Sequence, residues 1–226
     1  MIFWILSLQD DFVSKLKDHL LSRLHQYDYD GDECQFTVLE HNNLHFVDNL
    51  NTFTESKIFH VNHTSYDVHH QQGFMWPGSE CTIMMLSRED GLNAHPFWYA
   101  QALRAFQIPI VHVVLNTRNH FQKIMEVLWV CWLCMELGYC WGFKEACLPK
   151  VRFVPDTDDH AFGFLDPSLV IHGCHLILAF SEGWTDTLLR YGESCVRKPG
   201  ESDNWRMFYV NMYVNFLYFF YLVQHC

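Results

Sequence analysis

Positive charge is scarce in this chain, and so are the motifs that announce a catalytic centre. Lys and Arg number 15 against 26 Asp and Glu, leaving a formal charge of −11. A non-specific nucleic-acid binder needs a basic face to displace phosphate counterions, so direct nucleic-acid binding is not expected. A partner made of basic peptide remains compatible with this balance. There is no GxGxxG and no phosphate loop. Long apolar runs are also missing. The stretch from Phe208 to Val223 is interrupted by Asn211 and Asn215 and falls short of the ~20 residues that a spanning helix needs. Met1 to Leu8 is too short for a secretory signal, has no basic start and runs into Asp10 and Asp11. The expectation is an intracellular protein with no membrane contact, nuclear rather than cytoplasmic, although no Lys/Arg cluster marks nuclear targeting. The Asn62-His63-Thr64 sequon is then incidental. Nine cysteines, an odd number, do not read as a disulfide framework.

What is present is apolar and aromatic. Half of the 226 residues are hydrophobic and 16% are aromatic, enough for a real core. Two runs stand out, His95 to Phe106 and Met125 to Trp132. In the second, Val127, Trp129 and Cys131 share one strand face and Leu128, Val130 and Trp132 the other. Both faces are apolar, as in a strand buried on both sides. Residues 97–107 and 121–137 also hold good helix formers, so strand and helix both stay open for them.

Phe12, Val13, Leu16, Leu20, Leu21 and Leu24 form one stripe, which predicts an amphipathic helix over 10–26. The acidic turn Asp28 to Glu33 stops it. That turn is a poor calcium loop, because Leu39 stands where a bidentate Glu belongs. Short strands are predicted at Phe36–Leu39, His45–Val47, Lys57–His63, Cys81–Ser87, Ile110–Leu115, Val151–Val154, Val170–Ile177 and Arg206–Val214. Residues 71–80, 137–161 and 191–204 read as loops, the last as a loop or linker. Many short strands separated by turns suggest a small β-barrel over 35–183 rather than βαβ units. The helix packs on it and the strand 206–214 returns to it.

Chemistry is thin. Cys131-x-x-Cys134 with Cys140 and Cys147 has zinc-like elements, but the spacings after Cys134 match no ribbon or finger. His60, His63, His69 and His70 are a second weak metal set. On a strand, Cys174 and His175 point to opposite faces and form no dyad. Ser181 lacks a nucleophile elbow. Asp158-Asp159 and Glu201 with Asp203 read as solvated turn residues. No enzymatic activity, metal or cofactor is expected. The aromatics offer more. Trp76, Trp98, Tyr99, Trp129 and Trp132 either fill the core or line, in part, a cage for a cationic side chain. Exposure, and a nearby carboxylate, would decide.

The runs LKDHLLSRL, DGDE, VNHTSYDV, IMMLS, HPFWYA, MEVLWVCW, LPKVRFVPDTD, AFGFLDPSLVIHGCHLILAF and FYVNMYV follow one another across residues 14 to 214. Together they resemble a terminal region of large proteins encoded by fungal mobile elements, found in genomes rich in KDZ-type transposases. Tyr99-Ala100 to Phe106, Val127 to Trp132 and Val170 to Ile177 are also similar to the strand pattern of the bromo-adjacent homology (BAH) fold, a barrel around an SH3-like core. That similarity implies an SH3-like or BAH-like barrel that binds histone tails or other chromatin proteins. The mobile-element resemblance implies arginine at His69, His70, Gln101, Cys131, Cys147, His172 and Trp184. Deamination of CG-bearing arginine codons produces these four residue types, so a silenced or decaying copy is expected, with TGY, TGG, CAY or CAR codons at those sites. Residues 1–9 would be a gene-model extension and 215–226 an atypical tail. The function expected is that of a non-enzymatic, transposon-derived interaction module. The alternatives are a degenerate fragment without a partner, or an accessory part of a transposition protein.

Overall fold

The computed structural model describes residues 11–29, 34–47, 53–64, 70–89, 95–113, 122–142, 145–189, 194–197, 200–201 and 204–211. The chain is mainly β with a short helix near its N-terminus. Helix α1, Phe12–Leu24, buries Phe12, Leu16, Leu20 and Leu21, the stripe that its periodicity predicts. A short helix α2, Val38–Asn43, follows. The strands are β1 Leu44–Phe46, β2 Thr54–Ser56, β3 Phe59–Thr64, β4 His70–Met75, β5 Thr82–Leu86, β6 Phe97–His112, β7 Gln122–Met135, β8 Lys150–Phe153, β9 Phe162–Leu165, β10 Val170–Leu178, β11 Trp184–Thr185, β12 Asn204–Trp205 and β13 Phe208–Asn211.

Both aromatic runs are strands. They form the longest ladder, β6 against β7, in register from Val111↔Gln122 to Tyr99↔Leu133. The strand expected at Ile110–Leu115 is not a separate one where it is described, because β6 runs through Pro109 to His112; residues 114 and 115 lie outside the described residues. Proline lacks a backbone N–H, and Pro109 contributes its carbonyl instead, accepting from Val47 N at 3.1 Å. Around this ladder the neighbours run β6, β5, β10, β13, β8 and β7, and β7 pairs again with β6; β1, β2 and β9 attach at the margins. The last strand lies between β10 and β8.

The ladder separates two apolar clusters. Tyr99, Phe106, Ile108, Ile110, Val127, Trp129 and Cys131 face α1. There Phe12 meets Trp129 and Phe164 edge-on, with centroids 6.0 and 5.0 Å apart. Ala100, Ala102, Ala105, Leu128 and Val130 face the β3–β4 hairpin through Phe59 and Val61. The change of face along β6 occurs at a bulge between Ala102 and Arg104.

Three local predictions need correction. Phe36–Leu39 is not a strand. Thr37 caps a helix there, its side chain accepting from Glu40 N while Glu40 accepts from Thr37 N at 2.7 Å, and this capping box outweighs the β-prone side chains. Residues 71–80 are not all loop, because His70–Met75 pairs with β3 in a six-residue ladder. Gly73 lies opposite Val61 in that ladder, so the glycine sits within a strand. Residues 191–204 are not a free linker where they are described. Val196 and Arg197 are buried, and Arg197 donates to Leu189 O and Asn204 Oδ1 at 3.0 and 3.1 Å. The turns expected at Asn116–His120 and Asp30–Glu33, together with residues 1–9 and 215–226, lie outside the described residues. No helix among the described residues is long and apolar enough to cross a membrane.

Candidate functional site

The five aromatics singled out in the sequence do not share one place. Tyr99 and Trp129 are 1% and 2% exposed and belong to the core. Trp76 is 64% exposed and follows β4 near Phe74. Trp98 and Trp132 come together. Trp98 lies on β6 and Trp132 on β7 opposite Ala100, so the two indoles sit on one face, two residues apart across the ladder. Both are half-buried against the second cluster.

Tyr29, from the turn after α1, joins them. Its ring centre is 6.3 Å from Trp98 at 87°, and 6.4 Å from Trp132 at 16°. The result is two roughly parallel walls and one perpendicular wall. A carboxylate stands at the rim, where Glu89 Oε1 accepts from Trp98 Nε1 at 3.0 Å. Glu89 N in turn donates to Ser87 Oγ at 3.1 Å, and Ser87 N to Pro96 O at 2.9 Å, so the turn after β5 positions the acid.

Trp132 is held at a switch point of β7. Its N–H donates to Ala161 O before β9, and its carbonyl accepts from Val154 N after β8, at 2.9 and 3.0 Å. The indole lies over Gly163 so closely that a Cβ there would fall 2.8 Å from Trp132 Nε1. Small residues on β6 and β9 thus make the room that the trio occupies.

No protein-family model, curated protein or solved structure matches the chain.

Beside Tyr29 opens a cavity of about 290 Å³ whose lining includes Arg23, Asp28, Arg88, Lys123 and Asp166. Its charge is largely internal. Arg23 pairs with Asp166 at 2.6 Å and donates to Glu126 O, and Arg88 lies 4.0 Å from Asp28. The cavity therefore provides a mixed polar rim next to the rings rather than a site of one sign.

The cysteines predicted as a weak metal set are dispersed in character. Cys131 is buried in β7, Cys134 is half-buried, and Cys140 and Cys147 are exposed. Burial holds the Cys131 thiol well above its ordinary range, and Cys195 and Asp156 push it further up, the reverse of what a metal thiolate needs. Among the described residues, no group of three or more His, Cys, Asp or Glu is placed to hold a metal ion. Cys174 is buried and His175 exposed, as alternation along β10 requires.

Sequence reasoning missed Tyr29 and Glu89. Both fall in turns. Only the topology brings Tyr29 to β6 and β7, and Glu89 lies in the connection between β5 and β6, nine residues before Trp98. It also passed over Trp205, which packs on Trp184, and Phe180, which meets Trp205 edge-on.

Proposed function

We propose that this protein is a non-enzymatic interaction module that captures a cationic side chain of a basic peptide, such as a methylated lysine of a histone tail. The observation that supports this reading is the half-buried trio of Tyr29, Trp98 and Trp132 with Glu89 at its rim. Aromatic faces carry negative charge density, and the exposed carboxylate of Glu89 adds negative charge at their rim. The chain's charge of −11 favours a basic partner through long-range attraction. The cyclic order of strand neighbours, with β7 returning to β6, is compatible with an SH3-like or BAH-like barrel, which we propose as the finer description of the fold. A chromatin-directed role, implied by the BAH resemblance, in a transposon-derived protein, implied by the mobile-element resemblance, is part of the proposal.

The test is titration of the full chain with lysine-containing peptides in unmodified and methylated forms, read by calorimetry or on a modified histone-peptide array. Trp98→Ala should weaken binding by roughly 2- to 30-fold, the range of about 0.5–2 kcal/mol for one cation–π contact. Glu89→Gln should weaken it while leaving the melting temperature unchanged. Absence of binding to every cationic peptide would reject the reading in favour of a fragment without a retained partner, and binding untouched by Trp98→Ala would reject the trio as the site.

A further inference from the structure

If the trio is the capture site proposed above, its spacing and its rim also determine which cation it prefers. Tyr29 and Trp132 stand nearly parallel, with ring centres 6.4 Å apart at 16°. Carbon atoms pack at about 3.5–4.0 Å from one another, so a methyl group held between two ring faces needs at least ~7 Å from one face to the other. The slot between Tyr29 and Trp132 is narrower than that. Trp98 stands across it, meeting Tyr29 at 87° with centres 6.3 Å apart. A quaternary ammonium turns a methyl group towards every side and finds no enclosing cage here. All three rings are only half-buried. A cation therefore sits at the mouth, over the ring surface that remains open.

The mouth carries a carboxylate with capacity to spare. Glu89 Oε1 accepts from Trp98 Nε1 at 3.0 Å, which holds the group beside the indole. A carboxylate offers about four acceptor sites on its two oxygens. Among the described residues this is the one hydrogen bond that the Glu89 side chain makes. Its charge has no ion-pair partner among them either. Arg88, the preceding residue, lines the neighbouring cavity instead and lies 4.0 Å from Asp28. His95 feels the charge of Glu89, but burial lowers its pKa, so its ring brings no counter-charge at neutral pH.

The cation that fits this mouth meets two conditions. It presents an N–H to the spare acceptor sites of Glu89, which a trimethylammonium lacks. It also leaves water readily, which an unmethylated ammonium, compact and strongly hydrated, does not. We infer that the trio and Glu89 select an alkylated ammonium that keeps an N–H, as in monomethyl- or dimethyl-lysine, over both the unmethylated and the trimethylated side chain.

The test titrates the full chain by calorimetry with one short basic peptide whose single lysine carries zero, one, two or three methyl groups, and with an arginine version. The monomethyl or dimethyl peptide should bind roughly two- to fivefold more tightly than the trimethyl one, the span of a single exposed charge pair. Glu89→Gln keeps an acceptor for Trp98 Nε1 and removes the charge. At an unchanged melting temperature it should bring the dimethyl and trimethyl affinities within about twofold of each other. Tightest binding of the trimethyl, unmethylated or arginine peptide would overturn the selectivity while leaving a cation site in place. So would a preference for the dimethyl peptide that survives Glu89→Gln. Binding of no peptide at all would remove the capture site itself, and the selectivity with it.

Discussion

Gln101 shows how much a single polar residue holds in place. It is 2% exposed in the middle of β6, and its Nε2 donates to Val196 O at 3.0 Å and Gly78 O at 3.3 Å. One amide thus fastens the loop before β5 and the segment before β12 to the central ladder. Gly78 O has a second donor in Cys81 N, so the carbonyl most dependent on Gln101 is Val196 O. Replacing Gln101 by Leu keeps the bulk and removes both donors. The expected loss is about 1–3 kcal/mol, the cost of a buried acceptor left unmade, measured as a shift of the urea midpoint at unchanged slope. Across the ladder Gln101 faces Cys131, which is fully buried.

At the scale of elements, the clearest dependence is that of Trp132 on β9. Gly163 pairs with Val130, and the indole two residues further along β7 covers it. Its φ is not in the left-handed region, so Gly163→Ala strains no backbone and tests packing alone. The added methyl would need Trp132 Nε1 to move from 2.8 Å. A ring fixed at its backbone on both edges cannot do this cheaply, and overpacking of this kind costs typically 1–3 kcal/mol. The variant should melt earlier and bind cationic peptides more weakly. Gly173→Ala is the control, since its nearest neighbour at 2.7 Å is Met75 Cε, the free end of a flexible chain. The same elements show what could be read in advance. Helix α1 was legible, because its side chains carry the period of their structure and are buried accordingly, whereas the two aromatic runs left strand and helix open and only the β6–β7 ladder makes them strands. α2 was not, because a four-residue capping box decided it against β-prone side chains. β4 was not, because Gly73 and the glutamines before it resemble a turn until β3 supplies a partner. Of the trio, Trp98 and Trp132 could be named as candidates, whereas Tyr29 is brought to them by contacts of long sequence separation; Glu89 reaches Trp98 from the connection between β5 and β6, nine residues before it.

For the molecule as a whole, acid should act through histidines that folding keeps neutral. His95 is 6% exposed, and its Nδ1 lies 2.7 Å from Phe97 O. Its ring packs on Trp141 with centres 4.1 Å apart. Burial lowers its pKa, against the opposing pull of the Phe97 carbonyl and of Glu89. His112, at the far end of β6, the strand that follows His95, is lowered by burial and then by His25. In the unfolded chain both imidazoles take a proton near their ordinary value of about 6.5; in the folded chain they do so only at lower pH. The unfolded state therefore binds more protons across that interval. Stability is fully present above about pH 6.5 and is lost as pH falls through the interval towards the folded values. Glu40, whose pKa is lowered by its hydrogen bonds to Thr37, acts in the same direction but only in the carboxylate range, well below this window. Urea midpoints measured between pH 7.5 and 5.5 should therefore fall with pH. His95→Phe preserves an aromatic ring against Trp141 and cannot be protonated, so its midpoint should fall less steeply over the same interval. A wild-type midpoint that is flat or rises on acidification would show that protonation of the exposed histidines, by reducing the net charge of −11, outweighs His95 and His112.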